Sequence, residues 1–183
     1  VEKIINCPLE ARFVEAKLGL VGDQKLMMHL FHGTGKEGIE NIPKTGFRLP
    51  KWSEDNMFGQ GVYFAPDSSK SAQDMYTKGS SCLLLCEVLV GKSCKVDGLK
   101  GQHPLQAYVK TSKKGRQYLD VNEAQVRQAG FDSVFAPRGT RDSGGVQFDE
   151  YVVYNPSQAL PRYIVHFSSS SPKSMPPAAG SLP

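Results

Sequence analysis

The sequence predicts an α+β fold built mainly on antiparallel sheets, and three observations carry that reading. Strand-like runs recur along the whole chain, at Leu26–Phe31, Gly61–Ala65, Leu83–Val90, Asp132–Ala136, Phe148–Tyr154 and Arg162–Phe167. Helix-like stretches are few and short. The two do not alternate in the regular order that a parallel sheet requires. The chain has 183 residues, of which 39% are hydrophobic, enough for one core and one domain.

The first element is a helix over residues 8–18, with Leu9, Phe13 and Ala16 along one face and Pro8 in the first turn. Leu26–Phe31 reads as a buried strand, followed by a short helix at Lys36–Ile42 and a turn at Pro43–Gly46. Residues 47–58 are irregular and polar, and a loop of that length in a small domain is often functional. After the Gly61–Ala65 strand, Asp67 or Ser68 can cap a helix reaching Tyr76. Leu83–Val90 is the central strand. Val96, Ala107–Val109 and Tyr118–Val121 are weaker strand signals. Asn122 caps a short helix that Gly130 closes. Pro137–Gly145 is a Gly-rich charged turn, and Asn155–Pro156 separates the last two strands. Ser168–Pro183 is rich in Ser, Pro and Ala and cannot bury enough surface to offset its ordering entropy, so residues 1–167 form the domain and 168–183 a disordered tail.

The formal charge is +4, a mild excess. Lys110–Arg116 is the basic cluster, and a solvated loop accounts for it better than a nucleic-acid site. Cys7, Cys82, Cys86 and Cys94 make no metal-ligand spacing; Cys82 and Cys86 lie in an apolar run as buried thiols, and the reading is a reduced, intracellular protein without a metal. No run approaches the roughly 18 apolar residues that span a bilayer. The N-terminus lacks the apolar segment of a signal peptide, and Val1 in place of Met suggests an excised domain.

Two residues invite a chemical reading. His32 ends an apolar strand and is either a satisfied core histidine or a hydrogen-bonding group of a site. His29 falls on the opposite face by strand parity and receives no role. Glu150 sits in an alternating strand with Val152 and Tyr154 on its face and Tyr151 and Val153 on the other. A carboxylate there is either an edge charge facing water or a functional group. Asp149 points the other way and reads as structural.

Taken together, Leu30-Phe31-His32-Gly33-Thr34, then Gly59-Gln60-Gly61-Val62-Tyr63-Phe64-Ala65 with Ser69-Lys70-Ser71, then Glu150-Tyr151-Val152-Val153-Tyr154, resemble the catalytic domain of poly(ADP-ribose) polymerases. The resemblance runs from Ile4 to Phe167. It implies the ADP-ribosyltransferase fold, two packed antiparallel sheets with short flanking helices and NAD+ in the cleft between them. It also implies transfer of ADP-ribose to protein acceptors, with auto-modification among the outcomes, and release of nicotinamide. By the same resemblance His32 would donate to a ribose hydroxyl, and Gly33 would pair its backbone with the nicotinamide carboxamide. Thr34 would bond the adenine ribose or cap a helix, and Arg48 would meet the pyrophosphate or lie at the surface. Tyr63 and Tyr76 would sandwich the nicotinamide ring, and Ser71 would donate to the carboxamide oxygen. His32, Tyr63 and Glu150 would form the catalytic set, with Glu150 stabilising an oxocarbenium-like ribose.

The position three residues after Ser71 is Asp74, and Tyr76 comes five after, a spacing that resembles the mono-ADP-ribosylating branch. The complete set instead resembles chain-building members, so mono- and poly-transfer both stay open. A nuclear or cytoplasmic location fits, and no membrane or nucleic-acid partner is indicated. The competing reading is a catalytically silent NAD+- or partner-binding module with the same fold.

Overall fold

The computed structural model describes residues 1–21, 26–139 and 146–168. Two four-stranded sheets carry the fold. The first has the order β1 (Glu2–Lys3), β10 (Ala159–His166), β4 (Cys82–Leu89), β2 (Met27–Gly33), all antiparallel. The second has the order β3 (Val62–Phe64), β9 (Glu150–Val153), β8 (Ser133–Ala136), β5 (Ser93–Lys95), antiparallel except for the β5–β8 pair. A two-stranded hairpin, β6 (Val109–Thr111) with β7 (Gln117–Leu119), stands apart. The sheets touch where Phe31 and Ala65 exchange backbone hydrogen bonds of 2.8 and 3.0 Å.

Alternation of side chains sorts the core into layers. Leu30, Leu84, Cys86, Val88, Phe64 and Val153 pack between the sheets. Val152 and Tyr154, on the face of β9 that also carries Glu150, pack outward against Phe58, Leu119, Val126 and Val134. Helix α1 (Cys7–Leu18) lays Leu9 and Phe13 on Leu89 and Leu160 at the far side of the first sheet. Its apolar face is the one expected from spacing.

Several boundaries move for identifiable reasons. Helix α2 (Lys36–Thr45) runs through Pro43, where a turn was expected. Its exposed last carbonyls are satisfied from outside, since Asn6 Nδ2 donates to Pro43 O and Lys44 O at 3.0 Å and Arg12 donates to Thr45 O at 3.1 Å. Gly46, at φ +83°, then ends the helix. The helix expected from Asp67 to Tyr76 is two short ones, α3 (Ser68–Ser71) and α4 (Asp74–Thr77), because serine-rich sequence is a weak helix former. Asp67 caps α3 through Ser69 N–H at 2.8 Å. Helix α5 (Glu123–Gln128) has the expected Asn122 cap, completed by Gln125 as a capping box.

Strand β10 starts earlier than expected and absorbs Pro161, which has no N–H, in a register shift before Tyr163. The basic cluster 110–116 is the end of β6 and the mostly exposed turn that joins it to β7. Cys86 and Cys94 are buried, whereas Cys82 is half-buried at the start of β4, with Sγ 3.3 Å from His166 Nδ1. The expected tail lies outside the described residues from residue 169, as does most of the 137–145 turn. Among the described residues no helix is long and apolar enough to cross a membrane.

Candidate active site

Strand β2 ends where the two sheets meet, and it delivers His32 and Gly33 to the mouth of the cleft between them. A cavity of about 1180 Å³ opens there, and His32, Gly33, Thr34, Arg48, Tyr63, Ser71, Tyr76 and Glu150 all line it. Every residue selected from the sequence is therefore brought to one site, from five separate chain segments. Met57 of the 49–58 loop lines it as well.

His32 stands against Phe47 edge-on, with centroids 5.1 Å apart, and tilted to Phe64 at 5.5 Å. Its Nδ1 lies 2.9 Å from the Tyr63 carbonyl oxygen. A carbonyl only accepts, so Nδ1 carries the proton. Burial lowers the His32 pKa from its ordinary value, against the pull of that hydrogen bond, and keeps the ring neutral. Nε2 is then the ring nitrogen that carries the lone pair. In this tautomer the free ring nitrogen of His32 can accept from a hydroxyl, whereas the expected role was donation to one.

Gly33 is required by packing. A Cβ at this position would meet Ser71 O at 2.1 Å and Tyr76 Cβ at 3.0 Å, so α3 and α4 can close over the strand only because the side chain is missing. Ser71 is buried and donates its hydroxyl to Phe31 O at 3.1 Å, which ties α3 to β2. Thr34 does not cap α2, since Gly35 occupies the cap position without a side-chain bond; instead the Thr34 hydroxyl fills the space over Gly38.

Tyr63 has its hydroxyl used twice. It accepts from Phe58 N–H at 3.0 Å and donates to Gly59 O at 2.9 Å. Burial raises its pKa far above the ordinary phenol range, and the Glu150 charge adds to the rise. The hydroxyl is a fixed structural tie, and the ring is what it offers to the cavity. Tyr76 lines the cavity while Asp74 does not; Asp74 is exposed and accepts from Gly79 N–H at 3.0 Å to hold the turn after α4. Arg48 is exposed at the rim and makes no hydrogen bond or ion pair with the described residues.

Glu150 is 9% exposed. Its Oε1 lies 2.9 Å from Lys70 Nζ. The same ammonium bonds the Tyr76 hydroxyl and sits 4.2 Å from the centre of that ring. Burial works against the Lys70 charge, but the Tyr76 hydroxyl and Glu150 outweigh it, so the Lys70 pKa is raised. Lys70, inside the Ser69-Lys70-Ser71 motif, is a residue of the site that the sequence pattern does not single out. A cation six residues before an aromatic of the same slot was the available signal. Asp149 accepts from Arg138 N–H at 2.7 Å, a structural use on the face away from the cavity. Among the described residues no group of His, Cys, Asp and Glu could hold a metal.

The family model for the poly(ADP-ribose) polymerase catalytic domain matches residues 1–169. The chain belongs to that family. It is similar to poly(ADP-ribose) polymerase 2 of Homo sapiens, at 30% identity over 154 residues that cover 75% of this chain and 26% of the relative. It is similar to the tankyrase of Caenorhabditis elegans, at 27% identity over 159 residues, 75% of this chain and 7% of the relative. The protein mono-ADP-ribosyltransferase PARP4 of Mus musculus is 31% identical over 153 residues, again 75% of this chain and 7% of the relative. The chain spans about a quarter or less of the length of these relatives. Membership accounts for the two-sheet architecture, and relatives named for polymer and for single-unit transfer both match.

Proposed function

We propose that this domain is an NAD+-dependent ADP-ribosyltransferase that modifies protein acceptors and releases nicotinamide. The observation that supports it most is a buried carboxylate, Glu150, held by Lys70 in the same cavity as His32, Tyr63 and Tyr76. An edge charge facing water would need neither that burial nor a dedicated counter-ion. The cavity, at about 1180 Å³, is ample for an extended dinucleotide.

In this reading the nicotinamide ring enters the slot between Tyr63 and Tyr76, with its carboxamide on the Gly33 backbone and near Ser71. His32 Nε2 accepts from a hydroxyl of the adenosine ribose, which orients the donor. Arg48, at the exposed rim, meets the pyrophosphate. The bond from the ribose C1′ to nicotinamide breaks, and its electron pair leaves with nicotinamide. Positive charge develops on the ribose, and the Glu150 carboxylate stabilises it through the 2′-hydroxyl. The acceptor nucleophile then bonds to C1′, and its proton passes to Glu150 or to solvent. Auto-modification is an expected side reaction, and a nuclear or cytoplasmic location suits the substrate.

The test is incubation of the domain with labelled NAD+ and a protein acceptor, with products resolved by size. A ladder indicates chain growth and a single labelled band indicates one unit. No label and no nicotinamide would contradict the proposal and favour the silent module.

A further inference from the structure

The irregular segment 49–58 forms one wall of the cavity, through Pro50, Asp55, Asn56 and Met57. It has no helix or strand of its own; Ser53 holds a turn within it by accepting from Asp55 N–H and Asn56 N–H at 3.1 Å, and contacts from outside place that turn against the rest of the fold. The β6–β7 hairpin and the residue after it do this along the segment's length. Leu119 N–H donates to Met57 O at 2.9 Å, and Lys113 N–H donates to Glu54 at 3.2 Å. Two residues before Glu54, Trp52 Nε1 donates to Asp120 Oδ1 at 3.1 Å, and its ring stands edge-on to Tyr118 with centroids 6.3 Å apart. Asp120 Oδ2 is in turn paired with Lys110 on the opposite strand of the hairpin.

Trp52 is 54% exposed, so little core burial holds it in place. It does not line the cavity. An exposed indole spends its N–H on a carboxylate that already has a cation, and the result is a bridge from the hairpin to the middle of the cavity wall.

We propose that Trp52 and Asp120 are positioning residues for the dinucleotide, acting by fixing the 49–58 wall rather than by touching the reacting atoms. This rests on the reading of the cavity as an NAD+ site. A wall that must be ordered on binding costs affinity, whereas a wall already ordered does not. Loss of the bridge therefore weakens donor binding and leaves Glu150, held by Lys70, in place for the bond-breaking step. In kinetic terms KM for NAD+ rises and kcat does not fall with it. Asp120→Asn is the conservative variant, because an amide oxygen can still accept from Trp52 while the charge pair with Lys110 is lost.

The experiment measures kcat and KM for NAD+ in the unmodified domain, Asp120→Ala, Trp52→Phe and Asp120→Asn, with melting temperature as a folding control. Trp52 is the single tryptophan of the chain, so its emission during NAD+ titration reports the wall directly. The expected result is a KM increase of about tenfold in Asp120→Ala and Trp52→Phe, with kcat within about twofold and recovery of most of the KM in Asp120→Asn. Unchanged KM in both disruptive variants, or a fall in kcat at constant KM, would overturn the proposal. If the unmodified domain neither binds nor turns over NAD+, the functional reading itself fails, and that arm is read before any variant.

Discussion

Lys70 Nζ and Glu150 Oε1 are 2.9 Å apart, with side chains only 14% and 12% exposed. They lie on different elements, α3 and β9, and neither is a comfortable neighbour for an apolar core without the other. The carboxylate proposed to stabilise the ribose cation is therefore held, and its charge balanced, by a residue of the same cavity.

Removing one partner strands the other. Lys70→Met should cost about 3 kcal/mol of stability and lower nicotinamide release with it. Glu150→Gln preserves shape and should lower release by about 100-fold or more. Denaturant unfolding alongside nicotinamide release separates the two effects. The Lys70 pKa is raised in the fold, so its contribution is fully present below about pH 10.5 and is lost as pH rises through the higher folded value. The titration of Lys70 should therefore leave stability unchanged across neutral pH.

His32 titrates in the opposite sense. Its folded pKa is lowered by burial, so the unfolded chain binds the proton more readily. Its contribution to stability is full above about pH 6.5 and falls as pH drops below that value. His103 adds to the same trend, since both its ring nitrogens are buried without a hydrogen-bond partner among the described residues and burial lowers its pKa. Melting temperature from pH 7.5 to about 5 should fall, and less steeply in His103→Phe. NAD+ affinity should fall at lower pH still, as pH drops through the lowered folded value of His32, because a protonated Nε2 no longer accepts.

Gly33→Ala should be severe. The added methyl would meet backbone, Ser71 O at 2.1 Å, and not a side chain that can turn away. A destabilisation of about 2–3 kcal/mol is expected, with nicotinamide binding lost because α3 and α4 are pushed off β2. Urea unfolding and a nicotinamide titration followed by thermal shift check both parts.

Tyr76 and Asp74 give a matched pair. Tyr76→Ala should weaken nicotinamide about tenfold by removing one aromatic wall. Asp74→Ala should lose only the bond to Gly79 N–H and leave nicotinamide affinity unchanged, because Asp74 lies outside the cavity. Equal losses in the two variants would put the stacking position in doubt.

Much of this site was legible through the three motifs and the family they resemble; strand parity alone left His32 and Glu150 each open between a structural and a functional reading. Glu150, Val152 and Tyr154 share a face as alternation requires, and Asn122 caps α5 as its chemistry requires. What was hidden depends on distant partners. Helix α2 continues through Pro43 because Asn6 and Arg12, more than 30 positions earlier, satisfy its last carbonyls. The sense of the His32 bond depends on a carbonyl 31 positions away. Lys70 was in view within its motif, yet only the fold brings it to Glu150. The hairpin's hold on the 49–58 wall joins Trp52 to Asp120, 68 positions apart, and no local pattern encodes it.

The most direct measurement is nicotinamide release from NAD+ by the unmodified domain and by Glu150→Gln, with NAD+ binding followed in both by thermal shift. The account predicts that both bind the dinucleotide and that release falls by about 100-fold or more in the variant. Equal release by the two proteins, or no release by the unmodified domain despite tight binding, would contradict it.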